Sequence, residues 1–193
     1  MTEARPVLLL VVCAAPPAAK IEELAELLTS AGWDVYPVLT VAATAWVDQL
    51  MLDKSTRHTV KSQPRSPQEP KSLPPADAIL VAPATFNTIN QWAVGINDTA
   101  VLGILNEALG AGTPLVVSPY AKPVLAAHPT FRRNLDMLAT AGVRFTATDA
   151  LRPTDSNAPF NWSCVLELLN EIRATAKTAT DPHASEPSRG GDT

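Results

Sequence analysis

Apolar residues along the chain gather into a few short unbroken runs, separated by stretches that alternate at helical spacing. Val7 through Val12 is entirely aliphatic, the pattern of a strand covered on both faces in a parallel sheet. A loop of small residues, Cys13 to Ala19, follows. Ile21, Leu24, Leu27 and Leu28 then fall at i, i+3, i+6 and i+7, which predicts an amphipathic helix with Gly32 as its C-terminal cap. Asp34 to Thr40 reads as a second strand, so the opening segment is one right-handed βαβ unit.

The same alternation continues. Thr44 to Leu52 predicts a short helix, and Lys54 to Pro75 an extended loop punctuated by Pro64, Pro67, Pro70, Pro74 and Pro75. Ala76 to Ala82 is a third buried strand ending at Pro83. Ile89 to Trp92 and Thr99 to Leu109 form a helical region broken near Gly95, and Pro114 to Ser118 is a fourth strand. Thr130 to Thr140 predicts a helix, Gly142 to Phe145 a fifth strand, and Asn161 to Ala174 a last helix. Such alternation implies an α/β, Rossmann-like three-layer fold with a mostly parallel sheet. The expected domain spans residues 1–174, with 175–193 a polar tail that frays into solvent. In such a sheet, ligands sit outside the carboxyl ends of the strands. Chemistry is therefore expected at Cys13–Lys20, Thr40–Thr44, Pro83–Asn90 and after Ser118.

Composition narrows the function classes. The 193 residues are 46% hydrophobic and 18% charged, with a net charge of −4. A chain of this length can bury roughly 70% of its unfolded surface. No Lys/Arg-rich run suggests a nucleic-acid surface, and no apolar run approaches the ~20 residues of a membrane span. The start lacks the features of a signal peptide, so a cytoplasmic location is expected. The two cysteines, Cys13 and Cys164, and the three histidines, His58, His128 and His183, lack metal-ligand spacing, so no metal site is predicted.

The most informative segment is Ala82-Pro83-Ala84-Thr85-Phe86-Asn87-Thr88, placed between a buried strand and a helix. Thr85, Asn87 and Thr88 put polar side chains where a helix start leaves backbone N–H groups free, an arrangement suited to a phosphate or a ribityl chain. The alternative is that Asn87 or Thr88 simply caps its own helix.

Residues 76–90, with Gly95-Ile96-Asn97-Asp98-Thr99 after them, resemble the P-A-S/T-A-N-T region of the homo-oligomeric flavin-containing cysteine decarboxylases. Phosphopantothenoylcysteine decarboxylase belongs to that family. Val38-Leu39-Thr40-Val41-Ala42-Ala43-Thr44 is similar to its V-x-T-x-A-A stretch. The resemblance runs from about Val7 to Trp162. It implies a flavoprotein-type fold binding FMN noncovalently at a subunit interface, usually in a trimer or a dodecamer of trimers. Carried over by position, Thr40, Ala84, Thr85, Asn87 and Thr88 surround FMN, with Asp98 nearby. Where the family's first loop has a Gly-Ser pair, this chain has Ala14-Ala15-Pro16-Pro17. Proline offers no N–H, so the phosphate must lean on Thr40, Thr44 and the Thr85 turn.

Two further departures bear on chemistry. The family's catalytic histidine falls near Gln68-Glu69-Pro70, where this chain has none. Glu69 can replace it only with a raised pKa, and His58 lies about ten residues too early. The family clamp P-x-M-N-x-x-M-W, which holds the substrate carboxylate, corresponds to Pro119 through Ala126, with Lys122 at the Asn position. An ammonium there can pair with a substrate anion. Tyr120 and His128 are further candidates for the pocket. The expected activity is thus an FMN-dependent carboxy-lyase acting on a different or modified small-molecule or peptide substrate with thiol and carboxylate groups. The alternative is a flavin-binding protein without catalysis, serving as a regulatory or oligomer partner. Flavin prenyltransferase, which shares the fold, is disfavoured because the Gly/Ser-rich first loop is missing.

Overall fold

The computed structural model describes residues 4–63, 68, 73–155 and 158–180, the side chains of 175–180 excepted. The strands are β1 (Val7–Val12), β2 (Asp34–Leu39), β3 (Ala78–Ala84), β4 (Leu115–Pro119) and β5 (Arg144–Phe145). They form one five-stranded sheet in the order β2-β1-β3-β4-β5. Every pairing is parallel, so the described sheet is wholly rather than mostly parallel. The helices are α1 (Ile21–Ser30), α2 (Gln49–Thr56), α3 (Phe86–Ala93), α4 (Ala100–Ala111), α5 (Pro123–Ala126), α6 (Pro129–Thr140) and α7 (Ser163–Thr180).

The aliphatic runs serve both faces of this sheet, because successive strand residues point to opposite sides. Leu8, Leu10 and Val12 pack with Ile21, Leu24 and Leu28 of α1, Leu52 of α2, and Val165 and Leu169 of α7. Leu9 and Val11 join Ile89 and Trp92 of α3, Leu102 and Leu105 of α4, and Phe131 and Leu138 of α6 on the other side. Each fully buried Leu or Phe contributes roughly 1.5–3 kcal/mol of transfer free energy, and these two clusters hold the three layers together. The chain leaves β1 toward β2 and then crosses to β3 on β1's other side. Strand order reverses there, so a crevice opens at the carboxyl ends of β1 and β3.

Several boundaries depart from the sequence reading, each for a local reason. β3 does not end at Pro83 but continues to Ala84. The ladder with β4 shifts register between Val81 and Ala84, and a proline at such an irregularity forfeits no ladder bond. The Pro83 carbonyl accepts from the Cys13 N–H (3.1 Å) and that of Ala84 from the Tyr120 N–H (2.8 Å). The expected helix 44–52 is instead a 3-10 turn over Val41–Ala45 followed by α2. Thr40 caps the first and Asp48, accepting from the Met51 N–H at 3.1 Å, starts the second. α2 runs to Thr56, past the expected start of the long loop at Lys54, and Lys61 within that loop bridges Val38 in parallel. α5, with Pro123 in its first turn, was not foreseen. α7 passes the expected end at Ala174 and reaches Thr180, since no Gly or Pro interrupts it; residues 181–193 lie outside the described ones.

Candidate functional site

A cavity of about 950 Å³ opens over the carboxyl ends of the strands. Each inter-strand loop on that edge contributes: Ala14 to Pro16 after β1, Thr40 to Ala42 and Trp46 after β2, and Thr85 to Thr88 after β3. Tyr120 to Lys122 after β4 and Arg152 beyond β5 complete the far wall. With neighbouring strands about 4.8 Å apart, five of them make an edge of roughly 19 Å. The site is thus a trough running across the sheet.

The turn after β3 is held from within. Thr85 is the cap of α3: its hydroxyl accepts from the Thr88 N–H (3.5 Å) and is hydrogen-bonded to the Thr88 hydroxyl (3.1 Å). Thr88 is only 7% exposed and takes the Cys13 thiol at 3.3 Å. The capping role considered for Asn87 or Thr88 therefore belongs to Thr85. Asn87, exposed on the cavity wall, has no hydrogen-bond partner among the described residues. At the start of α4, Thr99 accepts from the Leu102 N–H (3.2 Å), with Asp98 just before it. Two helix N-termini, those of α3 and α4, thus face one cavity, and each carries unsatisfied N–H groups and a positive dipole end. Thr40 completes the group; its hydroxyl accepts from the Ala43 N–H at 3.3 Å.

The first loop is poor in donors, as the sequence suggested. It winds into a 3-10 turn, Pro16–Lys20, whose start has no capping side chain. Pro16 and Pro17 have no N–H and that of Cys13 is taken by Pro83, which leaves the amides of Ala14 and Ala15.

The candidate residues divide clearly. Thr40, Thr85, Asn87, Thr88, Asp98, Tyr120 and Lys122 all line the cavity. Ala84 does not: it is fully buried beneath the turn. His58 is at the wrong end of the sheet. Its Nε2 lies 2.7 Å from Asp34 Oδ1 and its ring stacks on Tyr36 at 3.7 Å. Asp34 begins β2, and six residues at about 3.3 Å each separate it from Thr40 by about 20 Å. From His58 the loop runs parallel to β2, with Lys61 beside Val38, and reaches the cavity only at Ser62 and Gln63. Glu69 lies outside the described residues. His128 caps α6, accepting from the Thr130 N–H at 3.2 Å, and does not line the cavity. Lys122 is exposed at the cavity wall and has no ion pair among the described residues.

Arg152 is a charged lining residue that sequence reasoning missed, as it did Trp46, Ser62, Gln63 and Gln91. Its partners, Tyr120 and Ala121, lie 32 and 31 residues away, so no local pattern marks it. Cys13 is an inert thiol: burial pushes its pKa up, offset in part by hydrogen bonds to Thr88 and Thr85. Cys164 is raised as well, by partial burial and then by the charge of Glu167. No described helix is long and apolar enough to cross a membrane.

Comparison with known proteins agrees with this architecture. The coenzyme A biosynthesis bifunctional protein CoaBC of Thermococcus kodakarensis is 31% identical over 133 residues, 66% of this chain and 33% of that protein. The chain spans about a third of the length of the CoaBC relatives it matches first. Among solved structures, a PPC decarboxylase mutant complexed with pantothenoylaminoethenethiol superposes with a TM-score of 0.71 at 20% identity, covering 88% of this chain and 99% of that one. The FMN-dependent cysteine decarboxylase TvaF from thioviridamide biosynthesis gives 0.67 at 23% identity, covering 88% and 98%. At these identities the structural likeness concerns the fold. The flavoprotein family model matches residues 1–175, and the chain belongs to that family.

Proposed function

We propose that the chain binds FMN in the cavity and is an FMN-dependent carboxy-lyase acting on a substrate that carries both a thiol and a carboxylate. The single observation that carries this reading is the convergence of α3 and α4 N-termini with Thr40 on one cavity at the strand-order reversal. Such a place attracts a phosphate through free N–H groups and aligned dipoles. The donor set fits the rest of the cofactor. The Asn87 amide can both donate and accept, and Thr40, Thr85 and Thr88 bring hydroxyls. The Asp98 carboxylate is acceptor-only and suits hydroxyls or a ring N–H rather than phosphate.

Bound FMN would supply the oxidation of the thiol-bearing carbon that makes loss of the neighbouring carboxylate easy. The chain's own part is placement. Lys122 offers a point charge to a substrate anion, Thr85 and Thr88 hold the turn after β3 in shape, and Trp46 and Tyr120 add aromatic surface to the wall. Names of relatives support the substrate class, since PPC decarboxylase and cysteine decarboxylases are among the structures this chain resembles. The lining differs from the family clamp, which points to a different or modified substrate. Assembly as a trimer or dodecamer belongs to the same proposal.

A second reading is favoured by one observation: no histidine lines the cavity among the described residues, and His58 is paired with Asp34 at the amino end of β2. It is a flavin-binding protein without lyase activity. One experiment separates the two. The purified protein is loaded with FMN, followed by its visible spectrum and thermal upshift, and then incubated with phosphopantothenoylcysteine and with a peptide ending in cysteine. Flavin uptake with release of carbon dioxide is the expected result. Uptake without release selects the second reading, and a colourless protein with no thermal shift overturns both.

A further inference from the structure

Arg152 reaches the cavity wall already fastened on three sides. Its Nη1 donates to the Tyr120 hydroxyl (3.2 Å), Nη2 to the Ala121 carbonyl (3.1 Å), and Nε lies 3.4 Å from Asp149 Oδ2. The Tyr120 ring stacks against the guanidinium, with its centroid 4.5 Å from Cζ. Asp149 is itself fixed, because its Oδ1 accepts from the Ala121 N–H at 3.1 Å. Its φ of 63° is a left-handed conformation that Asp tolerates better than most residues. These groups join the loops after β4 and β5 into one rigid corner of the trough.

A guanidinium has five N–H donors in one plane. Two of them donate hydrogen bonds and Nε faces the Asp149 carboxylate, which leaves one N–H on each Nη without a partner among the described residues. Stacking covers a face of the group and leaves its in-plane donors open. We propose that Arg152, positioned by Tyr120 and Asp149, is the anchor that reads the carboxylate of the substrate at this end of the cavity. This deepens the lyase reading given above and rests on it. Lys122 stands nearby on the same wall, but its flexible stem has no fixed contact, so ordering it around an anion costs side-chain entropy. Arg152 is already ordered before ligand arrives, and a planar fork matches a carboxylate better than a point charge does.

The test compares two peptides that end in cysteine, one with a free C-terminal carboxylate and one with a carboxamide. Binding is measured by calorimetry, with and without bound FMN, for the wild type, Arg152→Met, Arg152→Lys and Tyr120→Phe. Wild type should prefer the carboxylate on the order of 10-fold or more, the effect of one charge-assisted hydrogen-bonded contact. Arg152→Met should bind both peptides alike, and Arg152→Lys should keep part of the preference. Tyr120→Phe retains the ring while losing the positioning hydroxyl, so it should fold normally and show a reduced preference. A preference that survives Arg152→Met intact overturns the proposal, as does a wild type that binds both peptides equally. A merely structural Arg152 would weaken both peptides together and leave their ratio unchanged, which also overturns it. Failure to take up FMN would instead sink the flavin reading, and the cofactor-free titration would still decide the role of Arg152.

Discussion

The thiol of Cys13, just past the end of β1, donates to the hydroxyl of Thr88 on α3 across 3.3 Å. This contact ties the carboxyl ends of β1 and β3 together directly beneath the candidate cavity. It also fixes the chemistry of the thiol. Burial raises the Cys13 pKa above its ordinary 9.0, with the Thr88 and Thr85 hydrogen bonds offsetting only part of the rise.

Because the native state favours the protonated thiol, Cys13 contributes stability that is fully present below its unfolded pKa. That contribution is lost as pH rises through the folded value. Thermal unfolding of wild type and Cys13→Ala should therefore converge as pH is taken from 7 to 10. A gap that stays constant would contradict the assignment. Alkylation offers a second check: half-buried Cys164 should react in the native protein while Cys13 waits for unfolding. Equal rates at pH 8 would show that β1 and β3 open readily at this end.

Replacing His58 by Ala should cost stability and leave flavin uptake untouched. The residue pairs with Asp34, the two side chains being 27% and 38% exposed, so screening limits the pair to under about 1 kcal/mol. Stacking on Tyr36 adds a similar amount. For a chain of this size the combined loss lowers Tm by about 2–6 °C. A variant with unchanged melting but weakened FMN binding would place this histidine back at the site.

The difference between what sequence shows and what it hides follows from range. β1, β3 and β4 are legible because burial on both faces demands uninterrupted aliphatic residues, and these runs carry their own signal. Thr85, Asn87 and Thr88 are legible because a polar turn between a buried strand and a helix is a local arrangement. Pro83 misled the reading since a missing N–H ordinarily ends a strand, whereas here the shifted register with β4 makes that N–H unnecessary. His58 could not be placed because an irregular loop gives no direction, and Arg152 could not be found because its corner is made by two loops about 30 residues apart. Residues whose role depends on the meeting of separate loops become visible only once the sheet order is known.

Phe131 links the core to the cavity. It is 1% exposed, and its ring lies 5.4 Å from that of Phe86, which lines the trough. Phe131→Ala should destabilise the protein by about 3–5 kcal/mol through lost burial and the void left behind. Phe131→Leu should recover most of that loss. Loosening Phe86 should also weaken FMN binding in the alanine variant at temperatures where it remains folded, read as a higher Kd by fluorescence titration. Full-strength binding by a folded alanine variant would show that the wall does not depend on this packing.

Asn87→Asp separates helix stability from ligand binding, because the two should move in opposite directions. Asn87 is the second residue of α3 and its side chain has no partner among the described residues. A carboxylate in the first turn of a helix interacts favourably with the dipole, worth about 0.3–1 kcal/mol, so the variant should melt slightly higher without ligand. The same charge would sit on the wall of the proposed flavin cavity, where it repels an anionic cofactor, and it removes an amide donor. FMN affinity should fall at least 10-fold, on the scale of a lost hydrogen bond to a charged group. Asn87→Ser, which keeps a neutral donor, should fall less. Differential scanning with and without FMN reads both effects in one experiment. A higher melting point accompanied by undiminished FMN binding would mean that the turn after β3 is an ordinary helix start and that the flavin, if bound, lies elsewhere.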